Sequence, residues 1–261
     1  MIKNLKIIPI LFLLINIANL YSQDDSIRNT SISYYDYTIK ISSNHNRFFT
    51  GRLEVLKNGK SEFSMDSVFS DYVEHNIIDM DGDGSKELLL ILSEGASPYV
   101  FSSMYLFDAR KGAKPLYFIT NASLDTSANS LPAIGTFVRM SPSIMGFSYS
   151  WQMEYHNGKL RYKSLGGKTG SSFGPDYTEL RASMKEIWPQ KADCEDYIYS
   201  VFFDYIFITS RISGEMTEAE NFFNSEYKCP DKVSSLIPFK NTANETLNWI
   251  KDEKNYLYSE Y

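Results

Sequence analysis

The chain has 261 residues, of which 43% are hydrophobic and 15% aromatic, and its formal net charge is −6 at pH 7. This length suffices for one large or two modest domains with a buried core, and the abundant tyrosine and phenylalanine favour β-structure. The acidic balance argues against nucleic acid and anionic membrane surfaces as partners, because both need clustered positive charge.

Residues 1–22 have the pattern of a secretory signal peptide. Lys3 and Lys6 supply a positive n-region, a short apolar run covers positions 7–15, and the small residue Ser22 stands at the expected cleavage position. The apolar run is about half of the roughly 18 residues that a transmembrane helix needs. We therefore expect an exported protein, periplasmic, cell-surface or secreted, without a transmembrane span. Removal of the two lysines with the signal lowers the net charge from −6 to −8.

The region 23–175 contains strand-like runs that are separated by turn signals, and we predict a β-rich domain there. The pairs Asn58-Gly59 and Asn157-Gly158 each stand between alternating arms, and they predict hairpins with type I′ turns. The run Leu88–Leu92 is continuously apolar, which predicts a strand buried on both faces. We expect an antiparallel sheet, a sandwich or a partial propeller, because about 150 residues are too few to close a propeller.

In the region 176–261 the apolar period changes from two to about 3.6 residues, which predicts an α-helical domain. Four helices are expected, over Tyr177–Trp188, Cys194–Ser213, Glu218–Lys228 and Ala243–Asn255. Gly214 is placed to end the second helix, and Thr217 with Glu220 predicts a capping box at the start of the third. The whole chain is therefore expected to be an α+β protein.

The two cysteines, Cys194 and Cys229, open one predicted helix and close the next. In an antiparallel helical hairpin these two ends lie side by side, and exported proteins favour disulfides. We therefore predict a Cys194–Cys229 bridge, which would stabilise the fold by roughly 3–4 kcal/mol on the chain-entropy model. The alternative is a pair of unbridged, buried thiols.

The segment 79–87 has the ligand spacing of a calcium loop. Carboxylates stand at loop positions 1, 3 and 5, a backbone carbonyl at position 7 and a further carboxylate at position 9, which correspond to Asp79, Asp81, Asp83, Ser85 and Glu87. Position 12 is Leu90 where an EF-hand needs glutamate, and both flanks are strand-like, so an EF-hand is not expected. Oxygen ligands favour a hard cation, and the alternate carboxylates repel one another without one. We expect calcium; a metal-free turn and a magnesium site are the alternatives.

The same segment, DMDGDGSKELLLI, resembles the calcium loop of FG-GAP/VCBS-type repeats, which have the pattern D-x-D-G-D-G-x-x-[DE]-[LIV]. The resemblance implies a structural ion in a loop that joins two antiparallel strands. The following segment, SEGASPYVFSSMYLFD, resembles small exported bacterial proteins that carry a single such loop. This second resemblance implies a periplasmic inhibitor or an immunity-type protein.

The sequence contains no recognisable catalytic motif. The three histidines lack metal-ligand spacing, and the G-K-T of the glycine-rich segment lacks the first glycine of a phosphate-binding loop. Aromatic residues alternate along two strands, where they form either core or a binding face: Tyr34, Tyr35, Tyr37, Tyr149, Trp151 and Tyr155.

These observations favour an exported, non-catalytic binding or interaction protein that is stabilised by structural calcium. Its expected partner is a protein or glycan of the cell envelope. One alternative is a periplasmic inhibitor or immunity-type protein that acts against a cell-wall hydrolase. Another is a hydrolase whose site forms only in three dimensions.

Overall fold

The structure is a computed structural model that describes residues 27–44, 51–68, 72–93, 102–126, 131–140, 148–164, 174–188, 194 and 197–259. The predicted signal peptide and positions 165–173 of the glycine- and serine-rich segment lie outside the described residues. Within them, twelve strands precede four α-helices, so the chain has the expected α+β composition.

The twelve strands form three four-stranded antiparallel sheets, and each sheet is a simple meander. The first sheet contains β1 to β4, over Ile27–Tyr34, Tyr37–Asn44, Gly51–Lys57 and Lys60–Val68. The second contains β5 to β8, over Tyr72–Ile78, Glu87–Ser93, Ser102–Phe107 and Tyr117–Thr120. The third contains β9 to β12, over Ala122–Asp125, Ala133–Arg139, Ser148–His156 and Lys159–Lys163. In a meander, alternate connections lie at the same end of the sheet. In each sheet, the turn between its first and second strands therefore lies at the same end as the turn between its third and fourth strands.

Both predicted hairpin turns are confirmed. Asn58 and Gly59 have φ of 52° and 79°, and Asn157 and Gly158 have φ of 51° and 75°. Two consecutive positive φ angles are what a type I′ turn requires, and asparagine and glycine adopt them at low cost. The turns fix the register of β3 with β4 and of β11 with β12.

The central strand β6 is buried on both faces, as the leucine run predicts. Because strand residues alternate, Leu88, Leu90 and Leu92 enter a core between the first and second sheets. Leu89 and Ile91 enter a second core, which the second sheet shares with the third sheet and the helices. The second sheet is therefore the middle layer of the molecule.

The second core crosses the expected domain boundary near position 175. It includes Met153 of β11 together with Phe203 of the helical region, and both side chains are fully buried. The division of the chain into two separate domains stays a prediction.

The helical region contains α1 to α4, over Tyr177–Ile187, Tyr197–Ser213, Met216–Glu226 and Lys232–Lys251, and a short 3-10 helix over Glu253–Tyr256. The Asp176 side chain caps α1, because it accepts the N–H groups of Thr178 and Glu179 at 2.9 and 3.1 Å. Gly214 follows α2 with φ of 87°, as predicted. None of these helices is both long and apolar enough to cross a bilayer.

Two helix predictions are wrong in detail. The capping box does not form, because α3 begins at Met216, which places Thr217 inside the first turn, and Glu215 precedes the helix without a side-chain cap. The last helix begins at Lys232 and passes through Pro238. Proline removes a single helix hydrogen bond, and the buried residues Phe239, Ala243, Leu247 and Ile250 hold the helix on the core.

The sulfur atoms of Cys194 and Cys229 lie 2.11 Å apart, at disulfide distance, and their Cα atoms are 5.7 Å apart. Cys194 precedes α2 and Cys229 follows α3. The predicted pairing therefore joins the open ends of the α2–α3 hairpin, opposite the turn at Gly214.

Candidate metal centre

The acidic loop connects β5 to β6 and turns sharply at two glycines. Gly82 and Gly84 have φ of 76° and 86°, in the left-handed region that favours glycine. Their N–H groups both donate to the Asp79 carboxylate, to Oδ1 at 2.7 Å and to Oδ2 at 2.8 Å. The loop backbone thus wraps around the first acid of the predicted ligand set.

Three of the predicted ligands come together. One carboxylate oxygen each of Asp79, Asp81 and Glu87 lies within 4.8 Å of the others. Asp83 stands outside this group, and its Oδ1 accepts the N–H of Ser85 at 2.8 Å. The triad can hold a metal ion, whereas ligation by Asp83 and by the Ser85 carbonyl stays a prediction.

Arg110, in the turn after β7, contacts the loop and was not found by sequence reasoning. Its Nε donates to Asp108 Oδ1 at 2.8 Å, one Nη donates to Glu87 Oε1 at 3.0 Å, and the other Nη pairs with Asp83. The local sequence signal for this turn is Asp108, which directly follows the aromatic strand β7. No spacing rule connects Arg110 with Glu87, because they are 23 positions apart.

The two acids beneath the loop are almost completely buried, with exposed fractions of 0% for Glu87 and 1% for Asp108. Burial raises the pKa of Glu87 to about 7, although the N–H of Met80, 3.0 Å from Oε2, opposes this shift. Burial also raises the pKa of Asp108, but hydrogen bonds from Arg110 outweigh it and hold that pKa below its usual range. Burial therefore disfavours the ionised form of Glu87, whereas Arg110 keeps Asp108 ionised.

The loop bonds to turns of the first and third sheets. Lys86 donates its N–H to the Tyr35 hydroxyl at 2.9 Å, and its carbonyl accepts the Tyr34 hydroxyl at 2.9 Å. Both tyrosines lie at the β1–β2 turn. From the third sheet, the N–H of Asn157 donates to Asp81 Oδ2 at 3.0 Å. Turns from all three sheets therefore meet at the acidic loop.

The chemistry of the donor set fits a hard cation. The triad offers only carboxylate oxygens, which calcium and magnesium prefer. An ionised carboxylate has about four lone-pair sites, so the hydrogen bonds to Asp79 and Glu87 leave sites for an ion. Five carboxylates lie in or beside the loop: Asp79, Asp81, Asp83, Glu87 and Asp108. Arg110 contributes a single positive charge to them, so negative charge remains.

The aromatic residues that alternate along two strands form mostly core. Tyr34, Tyr37, Trp151 and Tyr155 are buried, and Tyr149 is half-buried. Only Tyr35 of the six is exposed, and its hydroxyl bonds the loop. The alternative of an aromatic binding face on these strands is therefore wrong.

A comparison of the chain with known protein families, curated proteins and solved structures finds no match in any of the three. The interpretation of the loop accordingly rests on its residues and their geometry.

Proposed function

We propose that the chain is an exported, non-catalytic binding protein whose acidic loop holds a structural calcium ion. The observation that carries the proposal is the position of the loop, where turns of three sheets meet. An ion bound to Asp79, Asp81 and Glu87 neutralises the carboxylates and so keeps these turns together. Calcium is favoured over magnesium because it tolerates irregular oxygen sets, whereas magnesium demands near-octahedral geometry.

The burial of Glu87 supports a structural role over catalysis. Glu87 has the raised pKa that a general acid needs, but it is fully buried and bonded to Met80 and Arg110. A substrate atom has no access to such a carboxyl. The cavities of about 760, 410 and 180 Å³ in the described part of the chain are lined by residues outside the loop.

The FG-GAP/VCBS resemblance is part of the proposal. The loop joins two neighbouring antiparallel strands, β5 and β6, as the resemblance implies. The three meanders begin at Ile27, Tyr72 and Ala122. This spacing is close to the 40–50 residues of a propeller blade, which favours a partial propeller over a simple sandwich.

The test is thermal unfolding in calcium, in magnesium and in EDTA. With a dissociation constant of about 0.1 mM and about 10 mM calcium, binding adds about 2.7 kcal/mol of stability. For a chain of this size that raises the Tm by about 5–10 °C. We expect magnesium to give a smaller rise, because its geometry fits the loop less well.

The Asp81→Asn variant separates ion binding from simple charge relief. In EDTA the variant should be about as stable as the wild type, because the removal of one repelling charge offsets the loss of one acceptor oxygen for the N–H groups of Asn157 and Asp83. In calcium it should be the less stable protein, because a ligand is lost. Glu245→Gln, at an exposed position of α4, is the matched control and should follow the wild type in both conditions. A wild-type Tm that is the same in calcium and in EDTA would refute the proposed calcium site.

A further inference from the structure

One face of the second sheet is left uncovered at the edge strand β5. The face that packs on the third sheet is fully buried along β6 and β7, for example at Leu89 and Met104. Glu74 and Asn76 of β5 stand opposite Ile91 and Leu89, so their side chains lie on this same face. Glu74 is nevertheless exposed, and Asn76 is only partly buried. The third sheet therefore ends short of β5.

A groove of about 410 Å³ lies where this cover ends. One wall is β9, the last strand of the third sheet in the described part of the chain, together with Thr126 just beyond it. The volume is within the range of roughly 300–1,000 Å³ that binding sites occupy. The floor is formed by residues of β5, β6 and β7: Glu74, Asn76, Ile91, Ser93 and Ser102.

The strand β9 presents backbone groups to this groove. The Ala122 carbonyl points away from β10, because it accepts the Ser102 hydroxyl at 3.3 Å. In an antiparallel strand the N–H and C=O groups point alternately to one edge and to the other, so those of Leu124 also point away from β10. Apart from the sheet pairs, no backbone group of the described residues bonds to Leu124. A strand edge of this kind is a template for a further strand.

The charge of the groove favours a basic occupant. Among the described residues that line it, Glu74 is the only charged one, and no ion pair joins it to another described residue. A lysine or arginine side chain in the groove would therefore meet an acid and no cation. A second copy of this chain is disfavoured, because the net charge is −6 and a two-fold contact at this edge would bring two Glu74 carboxylates together.

We propose that the groove binds an extended, basic segment of a partner protein, which adds to β9 as a fifth strand of the third sheet. Main-chain hydrogen bonds to Leu124 supply affinity, and side chains on the inner face of the added strand pack on Ile91 and pair with Glu74. The inference rests on the proposed function in one respect, namely that the chain acts by binding, and it names the partner class. It uses none of the residues of the metal centre.

The probe is a capped octapeptide in which lysine and valine alternate with threonine, so that all the threonines share one face of the strand. Binding is measured by NMR titration of the full chain. We expect saturable binding that shifts the amide signals of Ser123 and Leu124. The same peptide with glutamate in place of lysine should bind at least about threefold more weakly. Absence of saturable binding, or shifts confined to other strand edges, overturns the proposal.

Two N-methylated versions of the lysine peptide test whether the backbone makes the contact. One is methylated at the odd-numbered residues and the other at the even-numbered residues, so each loses the N–H groups of one edge and keeps its charge. We expect at least one of them to bind at least about tenfold more weakly than the parent peptide, because several hydrogen bonds to β9 are lost. Equal binding of all three peptides overturns strand addition.

Glu74→Gln tests the charge, and its exposed position makes a folding defect unexpected. The variant should bind the lysine peptide about three- to fivefold more weakly than the wild type does. Glu62→Gln, at an exposed position of β4, is the matched control and should keep the wild-type affinity. Equal affinities of the wild type and Glu74→Gln overturn the proposal of a basic partner. A dimer that Glu74→Gln strengthens, detected by light scattering, would make a second copy the occupant and overturn it as well.

The titrations are run in both calcium and EDTA so that the two proposals fail separately. Peptide binding by a protein whose Tm is the same in calcium and in EDTA refutes the calcium site and supports the groove. A calcium-dependent Tm without peptide binding supports the calcium site and overturns the groove proposal.

Discussion

Replacement of Arg110 by leucine tests whether the guanidinium and an ion share the neutralisation of the acidic loop. Arg110 donates to Asp108 at 2.8 Å and to Glu87 at 3.0 Å, and both acids are almost fully buried. Removal of one partner from a buried ion pair typically costs about 3–5 kcal/mol. Because the Arg110 side chain is 43% exposed, water screens part of this loss, and we expect a cost of about 2–3 kcal/mol in EDTA.

In saturating calcium the same substitution should cost only about 1 kcal/mol, because the ion supplies positive charge to Glu87. The assay is urea unfolding, followed by tryptophan fluorescence, with calcium and with EDTA. Arg52→Leu is the control, because Arg52 pairs with Asp66 at 3.4 Å and both side chains are largely exposed; it should cost less than about 1 kcal/mol in both conditions. Equal losses for Arg110→Leu with and without calcium would refute the shared role, and a loss in EDTA no larger than that of the control would refute the role of Arg110 itself.

Two further predictions concern the helical region. Replacement of both Cys194 and Cys229 by serine should lower the free energy of unfolding by about 3–4 kcal/mol, because the cysteines are 35 positions apart; an unchanged urea midpoint would contradict this. Burial raises the pKa of Asp204 to about 6, so between about pH 4 and 6 the folded protein holds a proton that the unfolded chain has lost. Stability should fall as the pH rises through this window. Asp204→Asn should lack that slope and be about 1 kcal/mol more stable than the wild type near pH 7; parallel pH profiles of the two proteins would count against it.

Local chemistry explains what the sequence predicted correctly. The Asn58-Gly59 and Asn157-Gly158 turns follow from backbone preferences that act within two residues. The leucine run of β6 needs no knowledge of its neighbours, because a strand without polar residues has to be covered on both faces. The cysteine pairing followed from the lengths of two helices and the position of Gly214 between them.

The features that the sequence did not reveal depend on distant contacts. Arg110 reaches Glu87 only because β6 and β7 are neighbours in the second sheet, and nothing local to either residue marks that contact. The three meanders have no shared motif, because any alternating sequence with suitable turns can form one. The predicted capping box does not form, because the preference of Thr217 for a capping position is weaker than the packing that places Ala219, Phe222 and Phe223 in the core.

The position of Glu87 explains why a loop so rich in charge adjoins the most apolar strand. Since β6 is covered on both faces, its first residue is buried with it, and a buried carboxylate needs a cation or a proton. Arg110 satisfies one oxygen of Glu87 while also pairing with Asp83 and Asp108, so one guanidinium is divided among three acids. One carboxylate oxygen each of Asp79 and Asp81 lies within 4.8 Å of an oxygen of Glu87. A divalent ion among these three acids would neutralise the remaining charge at the point where the turns of the three sheets are bonded, and for this reason we propose a structural role for the loop.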